Sequence, residues 1–220
     1  MTTSEIISAI EEYKQDSGPN DRYTSFDYCY NYFRETIDLE ADNERSCLTL
    51  GFYLASWGMF RGSSFLLNKS LKHFQSVVSY INKLDKSVWN IDVDKYDSST
   101  IKTILQIYGD LKNNFIPIGK QDLTLITKIL LGVFGFVPAF DNNFCNAFRE
   151  ISCYQCGFRK INEKSLFQIK NFYDLNQEVI DKYSNITFTT DFNTGQKTTT
   201  NYPKAKIIDM IGFIQGQKIT

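Results

Sequence analysis

The chain reads as a mainly α protein, a single-domain multi-helix bundle spanning 1–220, and three observations predict it. Apolar residues recur every three to four positions, as in Phe26, Tyr30 and Phe33, or Leu71, Phe74, Val77, Val78 and Ile81. Four prolines in 220 residues leave room for long helices. Ser, Thr, Asp and Asn residues stand ahead of the periodic runs, where the first amides of a helix need acceptors. Eighteen Phe and thirteen Tyr supply the apolar area for one aromatic-rich core.

Taken in order, Ser4 to Lys14 forms an amphipathic helix on Ile6, Ile7 and Ile10, and the breaker run DSGPN ends it. A hydroxyl in the segment YTSFD caps the aromatic helix that follows. Asp42 or Asn43 caps NERSCLTLGFYLASWGMF, which is apolar on nearly all sides from Leu48 and is expected to be the central helix. A stripe from Phe65 to Ile81 makes the next helix. The polar run DKSVWNIDVDKYDSS, Asp85 to Ser99, is a long loop within the one domain. Ser98 or Ser99 then caps Ile101 to Phe115, which IPIG ends.

A helical hairpin spans Asp122 to Glu150. Asp122 caps its first helix, Gly135 and Pro138 make the turn, and Asp141 opens the second helix. Another helix begins at Asn162 or Ser165 and runs to about Lys182. Asn193-Thr194-Gly195 between threonine-rich runs gives a small β-hairpin or an extended loop. Pro203 is a first-turn residue for the final helix, KAKIIDMIGFI.

Composition excludes several classes of function. The 24 basic and 25 acidic residues cancel to a net charge of -1, so no global field draws the protein onto nucleic acid or an anionic membrane, and such a contact has to be local. No apolar run approaches the ~18 residues of a membrane span, and the N-terminus has no secretory pattern. Five cysteines without framework spacing fit a reducing compartment. The expectation is a soluble, cytoplasmic protein that needs no cofactor.

Two residues of the hairpin carry the sharpest chemistry. Asp141 is first a helix cap and Lys128 a solvated residue. Alternatively, the two meet in a cleft, the amine acting as a nucleophile and the carboxylate as its base or electrostatic partner. The pattern of a lysine-bearing helix, a glycine turn, Val137-Pro138 and an aspartate opening the next helix resembles the helix-hairpin-helix DNA glycosylase superfamily over about thirty residues. That resemblance implies an all-helical fold that flips a base from duplex DNA, with Lys128 and Asp141 as the catalytic pair. Two departures accompany it: Gln121 to Thr127 holds no glycine, and the lysine-to-aspartate spacing is shorter than in the superfamily. TSFDYCYNYF with YLASWGMFRGSSFLL further resembles a group of small bacterial proteins, which implies no activity.

Other constellations are weaker. Arg61, Ser63 and Ser64 can bind an anion through a guanidinium and helix-start amides, or simply cap and join two helices. Lys120, Arg149, Arg159 and Lys160 offer a local basic rim for nucleic acid. Cys145, Cys153 and Cys156 are one short of an iron–sulfur set and could make part of a zinc site with His73, the only histidine. Buried free thiols are the simpler reading, and no metal is expected. Two functions compete: a nucleic-acid-binding or base-processing protein, or a non-enzymatic helical protein that offers Tyr28, Tyr30 and Tyr32 to a protein partner.

Overall fold

The computed structural model describes residues 1–219 and shows the expected mainly α architecture with one small hairpin. In order the elements are α1 (Thr3–Gln15), α2 (Ser25–Glu35), α3 (Asn43–Ser56), α4 (Gln75–Asn82), α5 (Ser98–Phe115), α6 (Leu123–Phe134), α7 (Asn142–Ile151), α8 (Glu163–Leu175), α9 (Gln177–Ile186), β1 (Phe188–Thr190), β2 (Lys197–Asn201) and α10 (Lys204–Ile219). β1 and β2 pair antiparallel, with Phe188 opposite Asn201.

α6 and α10, rather than α3, form the centre. α6 buries every residue from Leu125 to Phe134, and α10 every residue from Ala205 to Ile214. α3 buries Cys47, Leu50, Tyr53 and Leu54 but turns Leu48 and Phe52 outward, so its apolar run covers more than its buried face. α10 packs along α7 and α1, while α2 packs against α6, α3 and β1. One connected core reaches from Ile6 to Ile214.

Several local expectations are corrected. The stripe at 65–81 is broken into two short 3-10 turns, Phe65–Asn68 and Leu71–Phe74, before α4 begins at Gln75. The presumed loop at 85–99 is a packed strap of 3-10 turns that buries Val88, Trp89, Val93 and Tyr96. Asp97, not a serine, caps α5, closing a capping box with Thr100. Asp122 makes no capping bond, because its carboxylate is engaged by the Tyr108 hydroxyl at 2.8 Å and the Lys112 ammonium at 2.9 Å. The helix after Asn162 breaks at Asn176 into α8 and α9.

Candidate functional site

The site grows from the seven residues between α6 and α7. Gly135 ends α6 at φ 72°, and a Cβ there would lie 2.6 Å from Pro203 and 2.8 Å from Tyr30, so only glycine fits. The connector that follows is buried, and buried backbone groups need partners. Four side chains from three other segments supply them. Tyr96 donates its hydroxyl proton to the Phe136 carbonyl. The Ala139 amide donates to Asp209 Oδ1 at 3.0 Å, and the Phe140 amide to Thr127 Oγ1 at 2.8 Å. Thr124 Oγ1 donates to the Phe140 carbonyl at 2.9 Å. The chain therefore arrives at Asp141 with its backbone fixed against α6.

Asp141 caps α7 and also meets Lys128. Oδ1 accepts the Phe144 amide at 3.0 Å and caps α7. Oδ2 lies 3.2 Å from Lys128 Nζ. Lys128 is not a solvated residue: it is 3% exposed, one turn along α6 from Thr124 and facing the same connector. A charge taken this far out of water requires a partner, and Asp141 provides it.

A second buried ion pair, which the sequence reading missed, lies beside the first. Lys206 is fully buried on α10, with Nζ 2.9 Å from Asp209 Oδ2 and 2.8 Å from the Tyr13 hydroxyl. Asp209 is the carboxylate that also holds the connector at Ala139. A signal for it was present in KAKIIDMIGFI, where a Lys and an Asp three apart interrupt an otherwise apolar helix. Trp57 joins the two pairs. Its ring centroid lies 4.9 Å from Lys128 Nζ, 5.3 Å from Lys206 Nζ and 5.6 Å from the Arg22 guanidinium carbon. It stacks on Tyr23, with centroids 5.3 Å apart, while its buried Nε1 has no hydrogen-bond partner. Trp57 follows the last turn of α3, and Gly58 behind it has φ 75°.

The remaining candidates are dispersed. Arg61 and Ser63 are exposed, and Ser64 Oγ is used within its own turn, accepting the Leu66 amide and donating to the Met59 carbonyl. The helix start expected there is a four-residue 3-10 turn. Lys120 is exposed in the turn before α6, and Arg149 is half-buried on α7 with an unpartnered Nε. Among the described residues no three His, Cys, Asp or Glu side chains gather to hold a metal. The Cys145 thiol donates to the Phe158 carbonyl, and burial, followed by the negative charge of Asp141, pushes it up to about 12, so it is an inert thiol. His73 packs on Phe115, and burial lowers its pKa. Tyr30 is buried, so of the three tyrosines expected to meet a partner only Tyr28 and Tyr32 reach the surface. No helix among the described residues is long and apolar enough to cross a membrane.

No protein-family model, curated protein or solved structure matches this chain.

Proposed function

We propose that the protein processes a base in nucleic acid, with Lys128 as the nucleophile and Asp141 as its proton acceptor. The observation that carries this reading is the 3.2 Å approach of Lys128 Nζ to Asp141 Oδ2 at the end of a pinned helical hairpin. A lysine reacts as the neutral amine, and the carboxylate is placed to take its proton. The amine then attacks the sugar carbon that bears the base. The base leaves with the bonding electrons and receives the proton from Asp141, and the C1′–O4′ bond of the sugar then breaks, one proton of the attached nitrogen passing to O4′, to give a protonated Schiff base on Lys128. Trp57 lies over Lys128, so substrate entry requires this ring to turn aside on the backbone at Gly58. An extruded base then takes the place of the indole, and its stacking replaces that of Tyr23.

Borohydride reduces a Schiff base to a stable amine, which makes the reading directly testable. Duplexes carrying damaged bases or abasic sites are expected to give a covalent adduct with the wild-type protein. Lys128→Met should abolish the adduct, and Asp141→Asn should lower its rate by about a hundred- to ten-thousandfold, the range of general acid–base contributions. Failure of every duplex to give an adduct would remove the lysine mechanism.

A further inference from the structure

A groove of about 980 Å³ runs along the outer face of α2, with α3 as one wall and the hairpin turn and the segment before α2 as the other. It contains neither Lys128 nor Asp141. Its hairpin wall is fixed by α2 itself: Asp27 Oδ2 accepts the Thr190 amide at 2.8 Å, and Asn31 Nδ2 donates to the Thr190 carbonyl at 3.1 Å. That second bond sets the orientation of the Asn31 amide, leaving Oδ1 as an acceptor that is buried and has no partner. Ser25 Oγ, also on the groove, is likewise buried and unpartnered. Ser25 is 4% exposed and Asn31 8%, so water reaches neither freely. A buried acceptor left without a donor is unfavourable, so each of these atoms marks a place where a polar group could be supplied.

The rest of the groove shows what could satisfy them. Phe52 on α3 is 67% exposed and Phe192 on the hairpin turn 73%, and Phe192 meets Tyr28 edge-on with centroids 5.2 Å apart. Aromatic rings thus stand on both walls. Arg22 and Arg45 line the groove, and neither pairs with a carboxylate among the described residues. Of the three acids in the lining, Asp21 and Asp191 accept bonds within their own turns, from the Gly18 amide and from Thr194, leaving Glu35 at the far end of α2. An apolar helix laid in this groove would leave Ser25 and Asn31 unsatisfied. A flat ring with an N–H donor and an attached anion would stack on an exposed ring, engage an arginine and, with a small turn of the Asn31 side chain toward the groove, satisfy Asn31 Oδ1.

We infer that this groove is a mononucleotide site, in which the base stacks on Phe52 or Phe192 and donates to Asn31 while a phosphate engages Arg22 or Arg45. The nucleotide is either free or a unit of a single strand. Calorimetric titration of the full chain with the four nucleoside 5′-monophosphates, and separately with short single-stranded oligonucleotides, tests it. Binding of at least one monophosphate indicates the free source, and binding of oligonucleotides alone the strand. In either case Phe52→Ala and Arg45→Ala, both at exposed positions, should weaken binding roughly tenfold with an unchanged melting temperature. No binding of either probe at millimolar concentration, or binding that Phe52→Ala and Arg45→Ala leave unchanged, overturns the assignment. Lys128→Met should retain full binding, so failure of the groove and failure of the lysine chemistry are distinguishable.

Discussion

At the scale of the residue, Asp141 is held by two demands that a substitution can separate. Asparagine can still accept the Phe144 amide through its oxygen, so Asp141→Asn keeps most of the α7 cap, whose total worth is about 0.5–2 kcal/mol. It does not balance Lys128, which is 3% exposed. Removing one partner of a buried pair costs about 3–5 kcal/mol, whereas replacing both with apolar or neutral groups of similar shape costs far less. The double variant Lys128→Met/Asp141→Asn should therefore be more stable to urea than Asp141→Asn alone. Equal or lower stability of the double variant would mean that the pair is not energetically coupled. The sequence made this pair visible as two residues at the two ends of a hairpin, because helix periodicity and the glycine turn bring those ends together. It did not disclose their burial, which follows from α2, α3 and α5 packing on α6, contacts between segments far apart in the chain.

At the scale of the element, the end of each central helix is completed by a side chain from elsewhere. Asp92, in the strap between α4 and α5, accepts the Lys204 amide at 2.7 Å and the Ala205 amide at 3.0 Å, so the first turn of α10 is capped across more than a hundred residues. No local pattern announces such a cap, and the polar segment that carries it reads as a loop for that reason. Trp89 in the same strap donates to the Val133 carbonyl at 2.9 Å, at the end of α6. Burial raises the Asp92 carboxyl to about 6, against the lowering influence of these amides. A carboxyl with a folded pKa above its unfolded value binds more protons in the folded state between the two. Its contribution to stability therefore grows as pH falls from about 6 toward the ordinary 3.8 and diminishes as pH rises through that window. Asp92→Asn should flatten the dependence of urea stability on pH between about 4 and 6. An unchanged slope in the variant would assign the pH dependence to another group, of which Asp27, also raised by burial, is the first to test.

At the scale of the whole molecule, the two ends of the chain close one structure. α1 packs on α10, Tyr13 of α1 reaches the Lys206 ammonium, and Lys218 meets Glu12 at 2.8 Å. Fold class was legible because helical periodicity and capping act within a few residues, and the hairpin at 188–201 was legible because its turn residues are local. The central position of α10 was not, since Lys204, Lys206 and Asp209 interrupt its apolar run, and its place depends on which surfaces distant segments cover. The core that results is continuous from Ile6 to Ile214, which predicts that no part of it unfolds separately. The two tryptophans test this well, because Trp57 sits against Lys128 and Lys206 while Trp89, in the strap, is buried against Phe134. Urea transitions followed by the fluorescence of each tryptophan, with the other replaced by phenylalanine, should each coincide with the loss of helical circular dichroism measured on the same variant. A Trp57 transition at lower urea than the helical one would show that the end of α3 opens before the core. In that event the cover over Lys128 and Asp141 would be a mobile gate rather than part of the cooperative fold.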